Sequence, residues 1–467
     1  MMMKRLLSFC TLGLVFCLSI GSSPAVSQVA SPEKTLSLEE CIQIGLKNRP
    51  ELEIANQDIL NAEFQIKEAT SYYYPRLHFT TGYTHFSGPL KIEGDVPLVE
   101  LKKQIGPPFG SLLPNSLHAV SETGKIDWFA VDFNITQPVY TFGRIEEGVR
   151  QARIGRSIAV NQKEKKRAEI VFEVRKGYYQ FVGASEMVQF LTEAEASTEV
   201  VAKMVKIGYE TAVPEEKDEK GATRLDYLKA RSFHSEVRTK LSEAKKNLKL
   251  AELGLRMAMG FYPDAPLKVA AVSLESLPMN TWGIGELKQQ TLEKNVDLKT
   301  VGLGIQFLDS RQKAATSEYF PKIGLFGNYV GPEDRFGNPN MWFVGVGLTM
   351  PLFDGFLTKA KIGQARAQFQ KVKGQKTLLE TALSVQIDHL QTSLMELKER
   401  AGIFESAIKE ARERTQLAAD GYASGIIDYE ELLLAQKTEF ELRAGYIQSL
   451  FLFQMAKSEV EFISGIQ

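Results

Sequence analysis

The side chains best suited to metal or nucleophilic chemistry are few in this chain, and their spacing does not suit that chemistry. The histidines are His78, His85, His118, His234 and His389. No two stand three or four residues apart, the spacing that brings two imidazoles to one helix face around a metal. His78 and His85 fall on opposite faces of one predicted strand. No Gly-rich phosphate loop and no nucleophile motif occurs. Cys10 and Cys17 lie in an N-terminal apolar run, which leaves Cys41 alone in the rest of the chain. One cysteine forms neither an intrachain disulfide nor a cysteine metal cluster. The sequence therefore predicts no enzyme, no cofactor and no bound metal. A formal net charge of −1 also gives no electrostatic reason to expect nucleic acid as a partner.

With no chemistry to position, the elements themselves carry the information. Lys4 and Arg5 precede an apolar run from Leu6 to Ile20, followed by small and polar residues ending Ala25-Val26-Ser27. That is the pattern of a cleaved secretory signal over residues 1–27. The run falls short of the roughly 20 residues that span a bilayer, and Phe16 before Cys17 does not suit lipidation. No second long apolar stretch follows, so any membrane insertion has to use alternating β-strands.

The chain repeats itself. Ala69-Thr70-Ser71-Tyr72-Tyr73-Tyr74-Pro75-Arg76-Leu77 recurs as Ala315-Thr316-Ser317-Glu318-Tyr319-Phe320-Pro321-Lys322-Ile323. The offset also aligns Glu51-Leu52 with Asp297-Leu298, and Tyr83 with Tyr329. At a shorter offset, Gln137-Pro138-Val139-Tyr140 pairs with Met350-Pro351-Leu352-Phe353, and Gly208-Tyr209 with Gly421-Tyr422. Fixed order and offset mark a tandem duplication. We read a first repeat over residues 28–280 and a second over 281–467.

Each repeat starts with a helix. In the first, Ser37 and Glu40 form a capping box, and the helix is expected to run to about Tyr72. Pro75 and Pro321 then force extended backbone on the residue before them. Hairpins follow over 75–140 and 321–353. Phe129, Val131, Phe133 and Ile135 alternate with Ala130, Asp132, Asn134 and Thr136, which gives one apolar and one polar face. Trp342, Val344, Val346 and Leu348 do the same in the second repeat. Tyr72, Tyr73, Tyr74, Tyr140, Tyr319, Phe320 and Phe353 stand at strand ends, as in an interfacial aromatic girdle.

Long helices are predicted over 143–208 and 355–421, each roughly 100 Å at 1.5 Å per residue. From Ile387 through Leu390, Leu394, Leu397, Ala401, Phe404, Ile408, Ala411, Thr415 and Ala418 to Tyr422 the steps alternate between three and four residues, a coiled-coil seam. Leu191, Ala194, Thr198, Val201 and Val205 keep that rhythm in the first repeat. Helices over 224–260 and 430–464 complete the set. Four strands per chain cannot close a barrel, because about eight is the small limit, whereas three chains supply twelve.

Those doubled helix–Pro–strand blocks, the strand-ending Gln137-Pro138-Val139-Tyr140 and Met350-Pro351-Leu352-Phe353, and the helix turn Tyr422-Ala423-Ser424-Gly425 resemble the TolC-type outer-membrane efflux protein family. The resemblance covers essentially the whole chain after the signal segment. It implies an α+β membrane protein: a homotrimer with a twelve-stranded β-barrel in outer-membrane lipid, continuous with a coiled-coil α-helical barrel across the periplasm. It further implies a passive exit duct that docks to a periplasmic adaptor and to an inner-membrane pump of the RND, ABC or MFS type. Multidrug efflux and type I secretion are both within its scope. A periplasmic gate closed by coiling of the helix hairpins belongs to the same implication. By position, Tyr422 matches the gate tyrosine, Asp226 its acidic partner through a hydrogen bond, and Glu431 an acid of the pore ring.

The sequence departs from that pattern in places. Ile427 stands where some members carry a gating arginine, and Leu434 where a second ring acid can occur. Residues 214–221 form a charged insert at the first helix tip. The loop over 89–124 is long and rich in Pro and Gly, whereas its counterpart over 331–339 is short; only the first is large enough to fold over the barrel mouth. The rival reading is a soluble periplasmic coiled-coil scaffold, which needs no amphipathic hairpin midway between its helices.

Overall fold

A computed structural model describes residues 35–86, 90–97, 102–103, 116–123, 126–211, 222–262, 268–270, 272–331 and 341–465. The signal segment, the tip insert at 214–221 and most of the short loop at 331–339 lie outside the described residues.

The first helix is two helices. Helix α1 (Leu38–Asn48) opens on the capping box: the Glu40 N–H donates to Ser37 Oγ and the Ser37 N–H to Glu40 Oε2. It ends at Arg49 (φ −74°, ψ 119°), and α2 (Pro50–Ser71) begins one residue later. This corrects the single helix expected to run on to Tyr72. Pro50 lacks an N–H and disfavours helical backbone at Arg49, so the chain turns there.

Strand β1 (Arg76–Phe86) pairs antiparallel with β4 (Ile126–Tyr140). Between them, β2 (Leu90–Pro97) pairs with β3 (Ser116–Thr123) as a separate two-stranded ribbon. The long loop is thus in part a second hairpin. Its short alternations, such as Leu90 and Ile92 against Lys91 and Glu93, are hidden among Pro and Gly. Helix α3 (Arg144–Thr211) is 68 residues long and α4 (Arg224–Ala258) returns beside it.

The second half repeats that order. Helices α5 (Ile284–Lys294) and α6 (Val296–Thr316) meet at Asn295. Strands β5 (Lys322–Gly331) and β6 (Met341–Thr349) follow, then α7 (Leu357–Ala423) and α8 (Tyr429–Ser464). At 67 residues α7 is roughly 100 Å long.

The sheet order is β1-β4-β5-β6, all antiparallel, with β1 and β6 at its edges. Its register places Leu77 opposite Ile135, Phe79 opposite Phe133, and Phe133 opposite Tyr329. This face is apolar and open: Leu77 is 67% exposed and Val344 72%. The opposite face is polar, and there Asn328 Nδ2 donates to Asp132 Oδ2 at 3.1 Å. Both crossings from strand to long helix contain consecutive left-handed residues, Phe142-Gly143 (φ 49° and 87°) and Gly355-Phe356 (φ 63° and 68°). A phenylalanine in this region is strained, at a cost of about 1–2 kcal/mol. Phe142 is held by its neighbours, stacking on Phe320 at 5.3 Å and meeting Tyr140 edge-on at 4.6 Å.

Three buried clusters hold the helices. One surrounds Val174, Tyr178 and Leu255 and takes in Cys41. The second centres on Ile387, Leu394 and Phe453. The third lies at the helix tips, around Val205, Tyr429 and Leu432. Fully burying each large apolar side chain contributes roughly 1.5–3 kcal/mol. The coiled-coil seam is largely buried, with Ile387, Leu390, Leu394, Leu397, Ala401, Ile408, Ala411 and Ala418 all inside.

Candidate gate at the helix tips

The residues singled out for a gate lie where α3 and α4, and α7 and α8, turn back. The second turn is built by local rules. The Ser424 N–H donates to Asp420 O, and the Ile426 N–H to Gly421 O at 2.8 Å, while Gly425 takes the left-handed conformation (φ 67°). These bonds satisfy the carbonyls that the end of α7 leaves free. Asp428 then caps α8, accepting from the Glu431 N–H at 3.0 Å.

The tip core joins the two repeats. Val201 and Val205 of α3, Ala230 of α4, Ala418 of α7 and Leu432 of α8 pack into one cluster. Tyr429 is its buried aromatic, 2% exposed, and meets the Tyr422 ring edge-on at 5.9 Å. Burial raises the Tyr422 hydroxyl pKa, and the nearby Asp226 carboxylate raises it further. Tyr429 is pushed up more strongly, by burial first and then by Tyr422 and Asp226. Both tyrosines are therefore neutral hydroxyls at any physiological pH.

Tyr422 and Asp226 are thus brought together, as neighbours across the two repeats. A direct hydrogen bond between them is not among the contacts of this conformation. Asp226 Oδ2 instead accepts from the Thr223 N–H at 3.0 Å and from Thr223 Oγ1 at 2.6 Å, while the Asp226 N–H donates back to Thr223 Oγ1. Asp226 is the third helical residue of a capping box, which the Thr223-Arg224-Leu225-Asp226 spacing encodes locally.

Glu431 is held within the chain, since Arg414 Nη2 donates to its carboxylate at 2.8 Å across α7 and α8. Ile427, in the position of the arginine, packs against Gly421, where an added Cβ would meet its Cγ1 at 3.3 Å. Leu434 is exposed. Two further partners of the tip were not legible in the sequence. Lys229 of α4 and Glu430 of α8 form an ion pair of 2.8 Å that links the repeats. Tyr429 carried only the signal of following a cap residue.

The profile of the outer membrane efflux protein family matches residues 41–261 and 287–458, one segment in each half of the chain. The chain belongs to the outer membrane efflux protein family. The resemblance read from the doubled blocks is borne out. The cobalt-zinc-cadmium resistance protein CzcC of Cupriavidus metallidurans is 26% identical over 249 residues, which cover 52% of this chain and 56% of that relative.

Solved structures share the fold. CusC superposes with a TM-score of 0.74 at 16% identity over 91% of each chain. VceC of Vibrio cholerae gives 0.73 at 15%, covering 92% of this chain and 96% of its own. MtrE of Neisseria gonorrhoeae, solved in its open state, gives 0.71 at 15%, covering 92% and 88%. These structures share the mostly helical architecture with its four-stranded antiparallel sheet.

Proposed function

We propose that three copies of this chain close a twelve-stranded barrel in the outer membrane, continued by a helical tunnel through the periplasm. The four-stranded sheet carries this reading. Its apolar face is open over Leu77, Phe79, Tyr83, Trp342, Val344, Val346 and Leu348, and its edges β1 and β6 end the strand order. An open sheet with such a face and two free edges aggregates in water, whereas closure and lipid remove both liabilities. Strands of 9 to 15 residues are long enough for the hydrocarbon layer. The girdle residues Tyr74, Tyr140 and Phe353 are exposed at the ends of those strands.

The duct is passive. It receives its cargo from an inner-membrane pump through a periplasmic adaptor, in efflux or in type I secretion, after export by the N-terminal signal. The helix tips are its gate. Tyr422, Asp226, Tyr429 and the Lys229–Glu430 pair join the two hairpins, and Glu431 borders the pore. Membrane fractionation and planar-bilayer recording test this reading. The protein is expected to require detergent for extraction and to form pores; recovery in a detergent-free high-salt wash overturns it. Tyr422→Phe with Asp226→Asn is expected to raise the resting conductance while keeping an acceptor for the Thr223 cap. An unchanged resting conductance rejects the lock.

A further inference from the structure

One groove at the helix end of the sheet has no part in the gate. It measures about 590 Å³ and lies where β1, β4 and β5 meet the start of α3. Arg76, Arg144 and Lys322 line it together with Gln137 and Thr141, and no acidic side chain is among its described lining residues. Among the described residues, none of the three cations has a carboxylate within 4.0 Å. The nearby Glu318 is taken by Lys361 at 2.7 Å. The Arg76 guanidinium rests on the Tyr72 ring at 4.4 Å, which fixes its plane and leaves its N–H edge free for an acceptor. Arg144 is the first residue of α3, so it adds a cation where the helix dipole is already positive.

The strand register sets the direction of the groove. Arg76 alternates with Leu77 and Phe79, and Lys322 with Ile323 and Leu325. Both cations therefore stand on the face opposite the open apolar one. In a closed barrel that face is the lumen, so this inference rests on the duct reading above. Three cations in each of three chains make a belt of nine where the barrel joins the helical tunnel.

We infer that this groove binds an oxyanion carried in the lumen, a phosphate- or carboxylate-bearing solute held by Arg76, Arg144 and Lys322 on its way out. Unpaired like charges gathered in one groove repel one another, and an oxyanion that accepts from two guanidinium groups relieves this with charge-assisted hydrogen bonds. Such a belt favours anions over a bare cation at the exit, as rings of arginine and lysine do in anion pores.

The test is block of single pores in planar bilayers by inorganic pyrophosphate added on the barrel side, which is accessible whether or not the helix tips are closed. Wild-type pores are expected to be blocked. In R76Q/R144Q/K322Q the half-blocking concentration should rise roughly tenfold or more. Arg150→Gln, an exposed arginine outside the groove, should leave block unchanged. Where the triple variant does not insert, Arg144→Gln alone is read in the same way. Equal block in wild type and variant, absence of block, or an equal effect of Arg150→Gln overturns the inference while pore formation upholds the duct. A block that appears in phosphatidylcholine and vanishes in phosphatidylglycerol assigns the groove to lipid headgroups and overturns the lumen reading. A wild-type protein that makes no pores overturns the duct, and the inference with it.

Discussion

Arg49 and Asn295 occupy the same place in the two repeats, and each donates to a carbonyl near the end of its repeat's returning helix. Arg49 Nη1 reaches Ala258 O at 3.3 Å, and Asn295 Nδ2 reaches Ile463 O at 3.0 Å. The offset that aligns Glu51 with Asp297 also aligns these two residues. Both stand at the break between two helices, so one side chain holds the break and satisfies a helix end together. The first repeat does this with charge, since Arg49 also pairs with Glu51 and Glu173 at 2.6 and 2.7 Å. The second does it with a buried neutral amide, whose Oδ1 caps the Leu298 N–H at 3.1 Å. Asn295→Leu loses both bonds and is expected to cost about 1–3 kcal/mol. Arg49→Gln should cost less, because its carboxylate partners remain partly hydrated. Urea denaturation of the purified protein measures both, and an equal or reversed ranking contradicts this account.

At Gly45, α1 lies directly against α3. A Cβ there would lie 2.8 Å from Val174 Cγ2 and 3.4 Å from Ala258 O. Val174 is fully buried in the core, so it has little room to yield. Gly45→Ala is therefore expected to destabilise by about 1–3 kcal/mol, against the usual gain from replacing a helical glycine. Gly254→Ala, with nothing within 4 Å of its Cβ, should be neutral or stabilising. Thermal melts of the two variants should move in opposite directions or differ clearly in size.

The Lys229–Glu430 pair crosses from the first helix hairpin to the second. Glu430 is exposed, so the pair contributes little to global stability, and its effect should appear at the tips. Lys229→Glu places two carboxylates at this contact and should raise resting conductance. The swap of Lys229→Glu with Glu430→Lys should restore the wild-type level. A swap that conducts like the single variant would show that the pair does not join the hairpins.

Alkaline pH should destabilise the helical part through its buried thiol and phenol groups. Burial pushes the Cys41 thiol up to about 11, with Glu40 adding to the shift. Burial likewise pushes the Tyr179 and Tyr446 hydroxyls up to about 12, aided by Glu461 and by Glu275 respectively. These groups fold in their neutral forms. The unfolded chain releases their protons near 9.0 for the thiol and 10.0 for the phenols. Between those values and the raised ones the unfolded chain binds fewer protons, so stability falls as pH rises. The stabilisation is fully present below about pH 9 and is lost towards pH 11 to 12. Cys41→Ala should flatten the first part of that decline in thermal midpoint. A midpoint constant up to about pH 11 would contradict the burial of these groups.

The sequence alone determined the duplicated plan, because duplication is a property of order and offset. The seam from Ile387 to Tyr422 and the strands around Phe133 and Val344 follow from periods of 3.5 and 2, which local chemistry writes directly. The capping box at Ser37 was legible for the same reason. The break at Arg49 was also written there, in Pro50, but was hidden inside an otherwise continuous helical pattern. The β2–β3 ribbon was hidden by the Pro and Gly around it.

Other features came only from tertiary structure. Asp226 and Tyr422 lie far apart in the chain, and only packing of the tip core around Tyr429 makes them neighbours. The same packing gave Glu431 to Arg414 and Lys229 to Glu430, assignments that depend on which side chains reach across a helix pair. Arg76 and Lys322 correspond in the two repeats, but Arg144 stands in a third element and no local spacing brings the three together. They share a groove because the strand register turns Arg76 and Lys322 to one face and the sheet hands the chain to α3 beside them. Period and propensity act over a few residues, whereas a charge cluster is fixed by where distant elements come to rest.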